Sequence, residues 1–214
     1  MVSIEENLKN LKKFWPENAP DISQVPKYVS KYKNEKIVIK CGGKVLIEPD
    51  LFNKFIEDIA ILYKLGITVI IVHGGGPRIK LELEKLNIES QFINGLRITS
   101  KKTMAVVEKA LIDFNSEIVE KLKEKECKAQ GLNVSQNNIF IVEQESKNLG
   151  YVGRPKKILN EKIQTIIEQK QIPVISPMGK DDKGEKYNIN ADTAAAAIAK
   201  SLKSRRLLLM TDVT

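Results

Sequence analysis

Two cysteines in 214 residues, Cys41 and Cys127, offer no paired spacing for zinc or a disulfide framework, which suits a reducing compartment. Aromatic residues make up only 6% of the chain, and its 35 Lys and Arg against 27 Asp and Glu, a net charge of +8, are scattered over helix faces. Without a basic run interleaved with aromatics, that charge speaks against nucleic acid and fits an anionic metabolite. No apolar run reaches 18 residues, and Met1–Asn10 is too charged for a signal peptide, so a cytoplasmic protein with no membrane partner is expected. Neither G-x-x-x-x-G-K-[ST] nor G-x-G-x-x-G occurs, which excludes a P-loop and a dinucleotide fingerprint.

What is present is glycine in two clusters. Lys36–Lys40 and Ile67–Val72 are β-branched apolar runs ending in Cys41-Gly42-Gly43 and His73-Gly74-Gly75-Gly76-Pro77. Such runs read as strands buried on both faces of a parallel sheet. The turns lie about 33 residues apart, close to one βαβ unit, so both open at the carboxyl edge of one sheet, where open α/β folds bind ligands. Glycine lets bare N–H groups approach an anion there, and the following helix N-terminus adds its dipole.

Around these turns the periodicity predicts an amphipathic N-terminal arm over 3–14, with Ser3 and Glu6 in capping-box spacing, then a linker from Pro16 to Pro26 and a short helix over 27–32. A helix over 50–65 is expected to bury Leu51, Phe55, Ile59 and Leu62 and to stop at Gly66; Leu81, Leu83 and Leu86 belong to the helix that Pro77 starts. From Ser100 a long helix carries Met104, Val107, Leu111, Phe114, Ile118 and Leu122 at steps of three and four, a stripe that could also face a symmetry mate. Two or three strands are expected over 128–153, a helix over 160–170, a buried strand at 172–176, a polar turn at 181–186, an alanine-rich helix over 192–202 and a buried strand at 206–210.

Lys40, at the end of a strand beside two glycines, is placed to stabilise a transferring phosphoryl group. His73 is either a general acid or base or a hydrogen-bonded strand-end residue. Arg97, on a loop after Asn94-Gly95, presents a fork of donors suited to a carboxylate. In Asn188-Ile189-Asn190-Ala191-Asp192, Asn190 or Asp192 caps the next helix, or the asparagines and the carboxylate bind polar substrate groups and orient a lysine.

In this order the motifs Lys40-Cys41-Gly42-Gly43, His73-Gly74-Gly75-Gly76-Pro77, Asn94-Gly95-Leu96-Arg97-Ile98-Thr99, Leu149-Gly150-Tyr151-Val152-Gly153, Asn188-Ile189-Asn190-Ala191-Asp192 and Thr211-Asp212-Val213 resemble the acetylglutamate kinases of the amino acid kinase family. Part of the chain is also similar to the kinase-type domain of proteins that fuse it to an acetyltransferase. The resemblance implies a three-layer α/β/α sandwich with a mostly parallel central sheet, as in carbamate kinase. It implies phosphorylation of the γ-carboxylate of N-acetyl-L-glutamate by ATP with Mg²⁺, in arginine biosynthesis, by a homodimer or larger homo-oligomer.

By the same resemblance Lys40 and Asp192 are catalytic, Asp192 orienting lysines. Gly42, Gly43 and Gly74 bind phosphate, Gly75 and Gly76 belong to the substrate site, and Gly43, Gly75 and Gly76 give N–H groups to the phosphates. Arg97 holds the substrate α-carboxylate, and Asn188, with Asn190, holds its acetamido end. Residues 1–33 form the arm and 34–214 the acetylglutamate-binding half of the kinase domain. The family continues past Thr-Asp-Val into a nucleotide-binding half, so the chain reads as C-terminally truncated. Its usual Ser-Gly-Lys-Asp-like lid is replaced by Asn133–Asn138. The alternative function is a catalytically deficient substrate-binding or regulatory module of the same fold.

Overall fold

A computed structural model describes residues 12, 15–17, 19–32 and 35–210. The helix expected over 3–14 lies outside these residues except for Lys12, and Thr211-Asp212-Val213 lies outside entirely. Helix α1 (Val25–Tyr32) starts inside the expected linker, because a proline in the first helical turn, here Pro26, gives up no intrahelical bond.

Strands β1 (Lys36–Cys41), β2 (Thr68–His73), β8 (Ile172–Ile175), β5 (Ala129–Leu132) and β11 (Arg206–Met210) form one parallel sheet in the order β11-β1-β2-β8-β5. Its register sets Val38 beside Ile70 and Leu207, and Ile71 beside Val174. Successive side chains alternate between faces. Ile37 and Ile39 join Phe55 and Ile59 of α2 (Pro49–Lys64) and Phe114 and Ile118 of α4 (Lys101–Glu124) in one core. Val38 joins Ile163 of α5 (Asn160–Glu168) and Ile198 of α6 (Ala191–Ser201) in the other. Helices thus cover both faces, the expected α/β/α sandwich. Helix α3 (Gly76–Lys85) packs Ile79 and Leu83 against Val107 and Leu111 of α4. Among the described residues no helix is long and apolar enough to cross a membrane.

A second, mixed sheet has the order β10-β9-β6-β7, with β6 (Phe140–Gln144), β7 (Gly153–Ile158), β9 (Met178–Lys180) and β10 (Lys186–Asn188). The hairpin β3 (Phe92–Ile93) and β4 (Leu96–Arg97) turns through Asn94 and Gly95, both at positive φ, as an Asn-Gly turn requires.

All six apolar positions expected on the long helix are buried, and Ser100 caps it by accepting from the Thr103 N–H. Elsewhere the expected faces shift. Leu51 is 37% exposed and Phe52 takes its place, because the sheet meets the stripe Phe52, Phe55, Ile56, Ile59 one residue along. Leu81 and Leu86 are exposed, Leu86 just beyond the end of α3. The third strand expected within 128–153 starts at Gly153 and runs to Ile158. The expected burial of 206–210 does not hold: β11 is an edge strand paired, among the described residues, with β1 only, and Leu208 and Leu209 are about half exposed.

Candidate active site

The carboxyl edge of β1 and β2 is where the two glycine turns meet. Gly74 N–H donates to the Cys41 carbonyl at 2.7 Å, tying one turn to the other. Around them lies a cavity of about 220 Å³ that brings together all ten residues chosen from the sequence: Lys40, Gly42, Gly43, Gly74, Gly75, Gly76, Arg97, Asn188, Asn190 and Asp192. A larger groove of about 770 Å³ runs between α3 and α4, and its wall is mostly aliphatic.

Lys40 is buried on β1, and its Nζ lies 2.9 Å from Asp192 Oδ1 and 3.5 Å from the Met210 carbonyl. Asp192 sits in the first turn of α6, where the helix dipole favours a carboxylate, and its side chain is 53% exposed. A buried ammonium is therefore held by a carboxylate that still faces solvent, so its charge points at the cavity.

The glycines serve different ends. A Cβ at Gly42 would lie 2.6 Å from Lys40 Nζ, and one at Gly75 would lie 2.4 Å from Leu111 Cδ2. At Gly76 it would meet nothing within 4 Å, so no packing demands a glycine there. Gly43 has φ +62° and opens a short 3₁₀ turn, Gly43–Leu46. One expectation changes: the Gly74 N–H is already given to Cys41, so Gly74 brings the two turns together and is no phosphate donor.

Arg97 is not on a loop but on β4. It is buried, with Nη2 donating to the Gly76 carbonyl at 3.1 Å and Nη1 to Ser90 Oγ; its guanidinium lies 4.7 Å from the centre of the Phe92 ring. Burial pulls its pKa below the ordinary value. Asn188 ends β10, its backbone N–H donating to the Tyr151 carbonyl at 2.9 Å. Its side chain takes no hydrogen-bond partner among the described residues and borders the cavity. Asn190 is the cap of α6: its Oδ1 accepts from the N–H groups of Asp192 and Thr193, both at 3.0 Å, so only its amide nitrogen is left for a ligand.

His73 is no acid or base for this cavity. It is fully buried, with Nδ1 2.9 Å from the Gly74 carbonyl, Nε2 3.1 Å from Asn115 Nδ2, and its ring edge-on to Phe114. An amide nitrogen can only donate, so Nε2 accepts and Nδ1 carries the proton. Burial pulls its pKa down to about 4, so the ring is neutral at pH 7. Residues 133–138 do not border the cavity. Asn133 Oδ1 caps that loop by accepting from the N–H groups of Ser135 and Gln136, and Ser135 Oγ donates to Glu108.

Sequence reasoning missed Asn115, buried on α4, whose amide donates to both His73 and the Val174 carbonyl (2.9 Å). The signal available was a polar residue directly after Phe114, on the buried side of an otherwise apolar stripe. It also missed Arg78, just past the triple glycine.

The sequence profile of the amino acid kinase family matches residues 35–214. The chain belongs to the amino acid kinase family. It is 51% identical over 209 residues to the acetylglutamate kinase of Pelagibacter ubique, an alignment covering 98% of this chain and 72% of that one. Among solved structures, smu.665 from Streptococcus mutans superposes with a TM-score of 0.76 at 35% identity, over 84% of this chain and 73% of that one. N-acetylglutamate synthase from Neisseria gonorrhoeae, complexed with coenzyme A and N-acetyl-glutamate, superposes with a TM-score of 0.78 over 88% of this chain and 44% of its own. At 20% identity that likeness speaks for the amino acid kinase fold alone.

Proposed function

We propose that this chain is an acetylglutamate kinase of arginine biosynthesis, transferring the γ-phosphoryl group of ATP to the γ-carboxylate of N-acetyl-L-glutamate in the cytoplasm. The observation that carries the reading is the cavity with Lys40 Nζ, held by Asp192, among its walls and buried Arg97 bordering the same space. The 51% identity to an enzyme of that name supports the choice of substrate.

In the reaction a γ-carboxylate oxygen attacks the γ-phosphorus in line. The new O–P bond forms as the bond to the β,γ-bridging oxygen breaks, giving an acyl phosphate and ADP. Charge builds on the equatorial and leaving oxygens, so positioning and fixed charge carry the catalysis. Lys40 supplies a preorganised positive charge, and Asp192 fixes its direction. Gly43, Gly75 and Gly76 offer backbone N–H groups to the phosphates at the edge of α3. Arg97 pairs with the α-carboxylate, and Asn188 reaches the acetamido group. ATP would bring Mg²⁺, which would neutralise phosphate charge, since among the described residues no group of three or more His, Cys, Asp or Glu is placed to hold the ion. In this assignment residues 34–214 form the acetylglutamate-binding half and 1–33 an arm. The apolar groove between α3 and α4, with Leu81 and Leu86 exposed, is the face through which two copies associate.

The test is release of ADP and hydroxylamine-trapped acyl phosphate with Mg-ATP and N-acetyl-L-glutamate, with L-glutamate, L-aspartate and carbamate as competitors for the assignment. Turnover on N-acetyl-L-glutamate alone supports it; calorimetric binding of that compound without turnover would favour a catalytically deficient substrate-binding module. Light scattering checks association, and a monomeric mass would remove that claim.

A further inference from the structure

Arg78 follows the triple glycine after Pro77, yet its side chain turns away from the α3 N-terminus and joins three elements. Nε donates to the carbonyl of Leu46 at 2.6 Å, at the open end of the 3₁₀ turn that begins with Gly43. Nη1 and Nη2 donate to the two carboxylate oxygens of Glu117 on α4, at 2.5 and 3.1 Å. The guanidinium carbon lies over the Phe114 ring of the same helix, 4.0 Å from its centre. The two glycine turns are thus fastened twice, by the Gly74 N–H bond to Cys41 on one side and by Arg78 to Leu46 on the other. The planar guanidinium serves the carbonyl and both carboxylate oxygens in fixed directions, a geometry that the single nitrogen of an ammonium on a flexible stem does not reproduce.

We propose that Arg78 is a positioning residue for phosphoryl transfer: it sets the spacing between the Gly43 turn and the Gly75–Gly76 turn, and Glu117 and Phe114 hold it in place. The inference rests on the kinase reading for its catalytic consequence, while its geometric content stands apart from that reading. Arg78 borders the outer groove and not the cavity of Lys40 and Arg97, so it acts through the backbone of the turns and touches no substrate. Its loss should therefore weaken transfer and leave the acyl amino acid bound as before.

The experiment compares Arg78→Met, Arg78→Lys and the parent chain in two measurements. Hydrogen exchange should quicken at least tenfold at the amides of Ile47 and Glu48, which both donate to the Lys44 carbonyl within that turn, while amides in β6 and β7 keep their rates. Steady-state kinetics should show kcat down at least tenfold in Arg78→Met, with KM for N-acetyl-L-glutamate within threefold, since Arg97 and Asn188 stay in place. Unchanged exchange at Ile47 and Glu48, or an unchanged kcat in a chain that does turn over, overturns the proposal. If the parent chain transfers no phosphoryl group, the kinase reading fails and the exchange rates still decide the positioning. If Arg78→Met does not fold, Arg78→Lys, which keeps the charge but not the fork, is read by the same criteria.

Discussion

Lys40 and Gly42 act as one unit: the missing side chain at 42 is the space the Lys40 ammonium occupies. A Cβ there would stand 2.6 Å from Nζ and 3.0 Å from Cε, and the displaced ammonium would leave Asp192 Oδ1, now 2.9 Å away. Glycine-rich turns are usually read as room for a phosphate. Here one glycine makes room for the cation that meets it.

Gly42→Ala should therefore separate activity from stability. The obstructed atoms are the far end of a flexible side chain, which can swing aside, so the urea midpoint should move by no more than about 1 kcal/mol equivalent. Misdirecting a preorganised charge costs far more in the transition state, and kcat should fall about a hundredfold. Paired denaturation and ADP-release measurements check this. A large loss of stability with normal turnover per folded molecule would show that the glycine serves packing.

Arg97→Ala should weaken N-acetyl-L-glutamate by about 2 kcal/mol, roughly thirtyfold, because a carboxylate in the cavity would lose its charged partner. Calorimetric titration reads it directly. The Gly76 carbonyl and Ser90 hydroxyl lose a donor in the same variant, so the melting temperature is recorded alongside. Equal affinity in both proteins would remove Arg97 from the substrate.

How far the sequence reveals this site depends on the range of each contact. Lys40, the glycine turns and the Asn188–Asp192 run are legible because backbone demands are local: strand, turn and helix start lie within a few residues. The partners that fix them are not local. Leu111 fills the space of Gly75 from 36 positions away in sequence, and Asn115 reaches His73 across 42. The role of Gly74 is hidden for the same reason, since its N–H is claimed by Cys41. Leu51 fails differently. It and Phe52 fit the helical period equally well, and only the orientation of α2 on the sheet chooses between them.

Gly131→Ala tests the buried polar clamp. Its Cβ would come within 2.3 Å of Asn115 Oδ1, and Asn115 cannot retreat without dropping His73 and the Val174 carbonyl. A loss of about 2 kcal/mol is expected, as for overpacking a closed core. Asn115→Ala alone should also cost about 2 kcal/mol by leaving His73 Nε2 without a donor. Since the alanine at 115 removes the obstruction, the double variant should be less destabilised than the sum. Strict additivity in urea denaturation would deny the contact.

His73 predicts a pH dependence that the composition makes easy to read, because it is the only histidine in the chain. Its pKa is pulled from 6.5 to about 4, chiefly by burial, so between these values the unfolded chain binds a proton that the folded one refuses. Stability rises with pH wherever the unfolded state holds more protons. The contribution is therefore complete above pH 6.5 and lost as the pH falls towards 4, with about 2 kcal/mol going between pH 7 and 5. Carboxylates titrate mostly below that window. His73→Gln, which keeps a polar side chain but cannot titrate, should flatten the slope of unfolding free energy between pH 7 and 5, even if its absolute stability is lower. An identical slope in both proteins would mean that His73 gains its proton in the folded state as readily as in the unfolded one, and the neutral Nδ1–H tautomer assigned to it would fall.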